Sequence, residues 1–340
     1  MNIAVVILNW NGRGMLERYL PTLVERTTFP GASIIVADNG STDGSVEWLQ
    51  KQYGGLRLIK FDRNYGFTGG YNRALMEIEA DYYVLLNSDV EVSEGWLEPL
   101  AGFMEDNPDA GICQPKILSV AEPDRFEYAG AAGGFIDRYG YPFCRGRLFE
   151  RVERDEGQYD DACRVMWATG AAMMVRMDDY NAVGGLDAKF FAHNEEIDLC
   201  WRLQLIGKEI WCVPQSVVFH VGGATLSKGN PRKTYLNFRN NLLMLYKNLP
   251  QEELATVMRI RYCLDYMAAW QALILHGHWR DFKAIYKARH DFQRMKADYR
   301  TVRQQIQQNA VGTALITPVS IVSLYFLKGV RTFSAIRPSK

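Results

Sequence analysis

The sequence predicts an α/β protein built on a mainly parallel sheet, and three observations carry that expectation. Short β-rich runs alternate with amphipathic stretches over residues 1–110. The runs are apolar throughout, as in strands covered by helices on both faces. Each run then gives way to a polar segment rich in Asn, Asp and Gly, at the sheet edge where open α/β sheets bind ligands.

Taken in order, residues 3–8 read as a strand, 14–26 as a helix, 33–37 as a strand, 45–53 as a helix, 56–61 as a strand, 69–78 as a helix and 82–86 as a strand. Between 111 and 165, scattered Gly, Arg and aromatic residues (Tyr128, Phe135, Tyr139, Tyr141, Phe143) break any period, so loops and short strands are expected there. Residues 167–175 look like a buried strand, 183–186 a turn, 195–206 a helix and 209–219 a strand ending at His220. Helix formers dominate from about 234 to 308, and the chain divides into 1–248 and a helical region 249–340.

With 340 residues, 48% of them hydrophobic, the chain can bury a large core. Its net charge is zero, yet residues 251–340 hold 14 Lys+Arg against 6 Asp+Glu while the rest is acidic by the same margin. Such a basic region suggests a surface that meets something anionic, either phospholipid or nucleic acid. The six cysteines show no CxxC or CxxH spacing and read as reduced thiols of a cytosolic protein. MNIAVVILNWNG lacks the basic n-region of a signal peptide and reads as a strand. Residues 310–327 carry no charge, but Gly312 and Pro318 make a full membrane span marginal. The alternatives are an interfacial helix over 321–331 or a core helix packed on the body.

Four constellations carry chemistry. Asp38 in DNGSTDGS ends a strand, where it can accept from a pyrimidine imide or a ribose hydroxyl, with Asn39 beside it and Ser41 or Asp43 free to cap the next helix. Asn87-Ser88-Asp89 ends another, as either a turn cap or oxygen ligands for Mg²⁺ or Mn²⁺ whose remaining positions a substrate diphosphate fills. Glu195, Glu196 and Asp198 crowd the start of a helix, as a plain acidic first turn or as a raised-pKa general base and its neighbours. His220, at a third strand end, is either structural or a metal ligand beside Asp89. A nicotinamide dehydrogenase is excluded, because no GxGxxG follows the first strand.

In order along residues 2–248 stand VVILNWNG, VADNGSTDGS, NYGFTGGYNRAL, LLNSDVEV, WATGAAMMV, GGLDAKFFAHNEEIDLCWR, VVFHVGG and YLNFRNNLLMLYKN. This series resembles the family 2 glycosyltransferases, inverting enzymes of GT-A fold, in their rhamnosyltransferase-like branch. The resemblance implies that Asn9 and Asn11 line a nucleotide pocket, that Asp38 reads the pyrimidine, and that Asn64, Gly69, Gly70 and Asn72 border the nucleotide. It gives Asp89 and His220 to the metal, Glu196 to the catalytic base with Glu195 and Asp198 in support, Trp167 and Gly170 to the neighbourhood of the sugar, and Arg239 to the departing diphosphate. Two positions depart from the family pattern: Asn87 stands where the first Asp of the DxD element would be, and Glu196 stands where Asp is usual. No QxxRW motif is present, which implies addition of one sugar at a time rather than polymerisation. The implied partners are dTDP-rhamnose or a UDP-sugar and a glycan or lipid-linked acceptor, with no nucleic acid. The basic region and residues 321–331 place the expected enzyme peripherally on the inner face of a membrane.

Overall fold

A computed structural model describes residues 1–222 and 229–336, apart from the side chain of His276. Gly223 of VVFHVGG and the last basic residues lie outside the described residues.

Strand β1 (Ile3–Asn9) is buried along its length because both faces are covered. It pairs in parallel with β2 (Ala32–Asp38) on one side and β4 (Tyr82–Leu86) on the other, and β2 pairs in parallel with β3 (Arg57–Lys60). The register sets Asn9 opposite Asp38 and Ile7 opposite Leu86, so three carboxyl ends finish level with one another. Helices α1 (Arg13–Arg26), α2 (Ser45–Gln52) and α3 (Gly66–Leu75) are the crossovers. Leu16, Tyr19, Leu20 and Leu23 give α1 its buried face by helical spacing, each leucine contributing about 1.5–3 kcal/mol of burial. Helix α3 begins three residues earlier than the periodicity predicts, because Gly66 at φ 76° takes the turn into it.

Beyond β4 come β5 (Val90–Val92), α4 (Leu97–Asp106) and β6 (Ala110–Ser119). Helix α4 has no counterpart in the sequence reading, and β6 is a ten-residue buried strand where loops and short strands are expected. Its sequence hides it. Gln114, Pro115 and Lys116 interrupt the apolar run, and the structure accommodates Lys116 by placing its Nζ 2.6 Å from Asp155 and beside Asp160. A register shift in the facing strand lies opposite Pro115–Lys116.

The chain then forms a small sheet from β7 (Gly134–Asp137), β8 (Pro142–Cys144), β9 (Arg147–Leu148) and β10 (Arg151–Val152), before β11 (Cys163–Arg164) and β12 (Ala172–Arg176) return to the main sheet. Only 172–176 of the strand expected at 167–175 is regular; Trp167 makes an isolated bridge to Gly134, and a turn follows. Strand β12 lies antiparallel between β4 and β6. Helices α5 (Met177–Ala182) and α6 (Glu195–Leu205) lead to β13 (Glu209–His220), parallel to β6 and antiparallel to β5. The full order is β11-β13-β6-β12-β4-β1-β2-β3, with one core cluster on each face.

Helices α7 (Pro231–Asn248), α8 (Gln251–His276), α9 (Trp279–Met295) and α10 (Arg300–Gln308) follow. The uncharged stretch after them returns to the small sheet. There β14 (Ile316–Thr317) pairs with β7, and α11 (Ile321–Phe326) buries Ile321, whose N–H donates to Asp137. The packed-helix alternative therefore describes this segment, although Phe326 and Leu327 remain exposed. Among the described residues no helix is long and apolar enough to cross a membrane.

Candidate functional site

The level ends of β1, β2 and β4 form the floor of the site. Asn9 donates from Nδ2 to Asp38 Oδ2 at 2.9 Å and to Ser41 Oγ at 3.2 Å, while Asp38 Oδ1 accepts from the Ser41 N–H at 2.9 Å. Asn9 and Asp38 are buried, and Asn9 Oδ1 has no partner. A Cβ on Gly12 would fall 2.6 Å from that oxygen and 3.5 Å from Ser88 Oγ, so Asn9, Gly12 and Ser88 converge on one point. Asn11, in left-handed backbone at φ 50°, accepts from the Thr42 N–H and faces the same loop. Asp43 accepts from the N–H groups of Arg13 and Ser45, tying the starts of α1 and α2 together.

Several residues expected around a nucleotide also hold the fold together. Asn39 reaches from the end of β2 to the Asn64 side chain, the Gly66 carbonyl and the Tyr65 N–H, so Asn39 and Asn64 shape the third loop. Asn72 donates to the Leu186 carbonyl and accepts from the Leu186 N–H and the Tyr180 hydroxyl, which ties α3 to the turn after α5. Gly70 admits Leu8 and Asn39 against α3, and Gly69 lies against Tyr65; both are packing positions rather than points of ligand approach. Trp167 is buried between the two sheets, its indole N–H donating to the Phe135 carbonyl at 2.9 Å. Gly170 is better placed, because a Cβ there would meet Phe67 and lie 4.0 Å from Glu196 Cβ.

The start of α6 forms the opposite wall. Phe191, His193 and Asn194 have φ of 67°, 72° and 66°, a run of left-handed non-glycine residues that costs free energy and persists only where its surroundings over-determine it. The surroundings are two residues of α7. Asn240, fully buried, donates toward the carbonyls of Phe190, Ala192 and His193 at 2.8–3.0 Å. Arg239 Nη2 donates to the carbonyls of Lys189 and Phe190 at 3.0 and 3.1 Å, which engages one edge of its guanidinium with this turn. Sequence reasoning missed Asn240, which was only one Asn in RNN on an amphipathic helix.

This turn presents Glu195 and Glu196. Burial raises both carboxyls, and Glu195 further, because the Glu196 charge lies against it; Glu196 rises to about 7. The two carboxyls bond each other, and Oε2 of each has no partner. Glu195 is buried while Glu196 is partly exposed, which leaves Glu196 able to meet a substrate. Asp198 sits elsewhere. It is fully buried, accepting from Arg202 Nε at 2.9 Å, Lys247 Nζ at 2.9 Å and Asn248 at 2.9 Å. Burial alone would raise it, but Lys247 and Arg202 hold it below the ordinary carboxylate range. It joins α6 to α7, and its charge adds to the rise of the Glu195 carboxyl.

Asp89, at the β4–β5 turn, has Oδ1 3.2 Å from His220 Nε2, and on the other side of the ring Glu127 Oε2 lies 3.4 Å from Nδ1. Burial would lower the imidazole pKa, but the two carboxylates outweigh it and raise it to about 10. Neither ring nitrogen has a well-directed hydrogen bond. The protonated imidazole must give up a proton to bind a metal, and once it does, a buried carboxylate and imidazole fit a divalent ion such as Mn²⁺. Among the described residues no group of three or more His, Cys, Asp or Glu is arranged to hold a metal, so Asp89 and His220 would leave the remaining positions to diphosphate oxygens and water. Glu127 carried no sequence signal, since it stands alone in RFEYAG within a stretch without periodicity.

Residues 4–183 match the family model described as glycosyl transferase family 2. Over 239 residues the chain is 29% identical to an N-acetylglucosaminyl-diphospho-decaprenol L-rhamnosyltransferase of Mycobacterium tuberculosis, covering 64% of this chain and 75% of that protein. It is 24% identical to the O-antigen biosynthesis protein RfbC of Myxococcus xanthus, covering 61% of this chain but 16% of that one. Among solved structures, GalNAc-T7 with UDP, GalNAc and Mn²⁺ superposes at a TM-score of 0.61 with 16% identity, over 92% of this chain and 58% of that one. S. aureus TarS 1–349 in complex with UDP-GlcNAc gives 0.54 with 14% identity, over 91% and 93%. The GT-A fold is therefore shared, and with more than half its length inside the family model the chain belongs to glycosyltransferase family 2.

Proposed function

We propose that this protein transfers one sugar from a nucleoside-diphosphate donor, dTDP-rhamnose or a UDP-sugar, to a hydroxyl of a glycan or lipid-linked acceptor, with inversion at the anomeric carbon. Residues 1–248 form the transferase unit and 249–340 its helical extension. The observation that carries the reading is the Glu195–Glu196 pair, presented by a strained turn that α7 clamps, in a chain whose first two strand ends meet in the Asn9–Asp38 pair. Likeness to a decaprenol-linked rhamnosyltransferase supports the donor and acceptor classes.

The chemistry follows from these parts. Asp38 and Asn9 bind the base or ribose at the floor. Asp89 and His220 would hold a divalent metal, which when bound neutralises charge on the leaving diphosphate. Glu196, ionised, takes the proton of the acceptor hydroxyl as that oxygen attacks the anomeric carbon from the face opposite the diphosphate. Glu195 keeps its proton and donates to Glu196. One displacement inverts the centre, so no carboxylate nucleophile is required. The basic surface of residues 251–340 suits a peripheral position on the inner face of a membrane.

The test is thermal stabilisation by UDP- and dTDP-sugars with and without Mn²⁺, beside Glu196→Gln. A metal-dependent shift that survives Glu196→Gln, with transfer abolished, is the expected result. Transfer by the variant at the wild-type rate refutes the base assignment.

A further inference from the structure

The described surface of the helical extension is unusual at the α8–α9 hairpin. Met267, Trp270, Ile274 and Leu275 follow helical spacing on the last turns of α8, and Ile274 and Leu275 are 72% and 68% exposed. Gly277, at φ 64°, turns the chain so that Trp279, 52% exposed, opens α9 next to them. Behind them the rings of Trp270, Phe282, Tyr286 and Tyr266 stack in succession, with centroids 4.6–5.0 Å apart. A soluble surface seldom exposes contiguous large apolar groups without a partner for them.

The charges beside this patch have one sign. Arg280, Lys283, Lys287 and Arg294 recur at intervals of three, four and seven along the exposed face of α9, and Lys283 Nζ lies 4.4 Å above the Trp279 ring. The acids of α9 turn toward α7, and Lys287 goes with Asp291, its Nζ 5.2 Å over the Tyr235 ring. Asp281 accepts from Thr234 and Asp291 from Tyr235, both on α7. Apolar tips with tryptophan and a cationic rim match the interface of an anionic bilayer, where aromatic rings sit at headgroup depth and cations meet phosphate. A second copy meeting the same patch about a two-fold axis would instead bring Arg280 and Lys283 of both chains together.

We propose that the α8–α9 tip is the membrane-docking surface of this protein, seating Trp270, Ile274, Leu275 and Trp279 among the headgroups of an anionic phospholipid bilayer with Arg280 and Lys283 on the phosphates. This moves the membrane contact away from 321–331, whose Ile321 is committed to the small sheet. The tip also borders the site. Asp281 on α9 bonds Thr234 in the first turn of α7, Arg232 of that turn stacks over Phe191, and the Phe191 carbonyl accepts from Phe67. Docking there has its purpose only if the acceptor is lipid-linked, and to that extent the inference rests on the proposed function.

The experiment is co-sedimentation of the full chain with phosphatidylglycerol–phosphatidylcholine vesicles and with phosphatidylcholine alone. Binding is expected only to the anionic vesicles. R280Q/K283Q is expected to weaken it roughly thirtyfold, at about fivefold per charge, and I274S/L275S to weaken it independently. All four side chains are exposed, so both variants should fold and keep the nucleotide-dependent rise in melting temperature. Binding to anionic vesicles that neither variant weakens overturns the proposal, as does failure of the wild type to bind. A dimer in sedimentation equilibrium that I274S/L275S converts to monomer also overturns it, in favour of a second copy. Vesicle binding needs no nucleotide, so a chain that docks but responds to no nucleotide sugar refutes the transferase reading alone.

Discussion

Replacing Glu195 by Gln and by Leu separates its two possible contributions to Glu196. Burial raises both carboxyls, and because Glu195 is raised further it stays protonated while Glu196 ionises and accepts its hydrogen bond. The ionised base is the working form, so kcat/KM should climb with pH through about 7 and then level. Gln at 195 still donates an N–H, and the midpoint should hold. Leu removes a donor to a charged group, a bond of about 1.5–3 kcal/mol. At 1.36 kcal/mol per unit the midpoint should move up by about 1–2 units, cutting the rate near neutral pH roughly five- to fiftyfold. The assay is release of nucleoside diphosphate in the presence of acceptor, from mildly acid to alkaline pH. If Leu leaves the midpoint in place, or Gln moves it as far as Leu does, Glu195 does not hold the proton assigned to it. Linkage gives a second readout. A carboxyl raised on folding stabilises the protein most below its ordinary value of 4.5, and that stability is lost as pH rises through about 7, so Glu196→Gln should flatten the fall in Tm over that window.

Asp198→Asn leaves Arg202 and Lys247 buried without their shared anion and should cost about 3–5 kcal/mol in denaturant unfolding; unchanged stability with lost activity would return Asp198 to the catalytic group. Asn240→Ala should destabilise by about 1–3 kcal/mol through the carbonyls it abandons, and should lower kcat far more than it raises the donor KM, since it relaxes the turn bearing Glu196 and leaves the strand-end floor intact. Glu127→Gln should weaken Mn²⁺ binding about 10- to 100-fold, as loss of a group that orients a ligating histidine typically does; calorimetric titration of Mn²⁺ in the presence of UDP or dTDP measures it, and wild-type affinity would separate Glu127 from the metal.

The parallel core was legible because β1, β2 and β4 are apolar from end to end and their polar termini break off at matching points, so pattern and topology carry the same information. Asp38, Asp89, Glu196 and His220 were legible for the same reason: each ends a strand or starts a helix, where a charge in an apolar setting stands out. Strand β6 was not, since Lys116 becomes compatible with a buried strand only when Asp155 and Asp160 arrive from some forty residues on. Asn72, Asn39 and Asp198 illustrate the converse. Motif position marks them, but what they do depends on Leu186, Gly66 and Lys247, partners supplied by the fold. Arg239 and Asn240 work through backbone carbonyls, which carry no residue identity for a sequence to display.

The pairing of β14 with β7 has a consequence for how the chain folds. Until residue 317 is available, the Ile136–Asp137 end of β7 lacks its β14 partner and is an open strand edge, while the Gly134 end is already bridged to Trp167. Phe135 and Phe143 likewise wait for Phe333, which stacks at 5.0 and 6.1 Å from them. The small sheet thus closes across about 180 residues of chain, a separation that slows its formation and postpones it until residues 316–317 have been made. Chains cut short before 316 would carry an open strand edge beside uncovered phenylalanines, and should self-associate even where the first 248 residues have already folded.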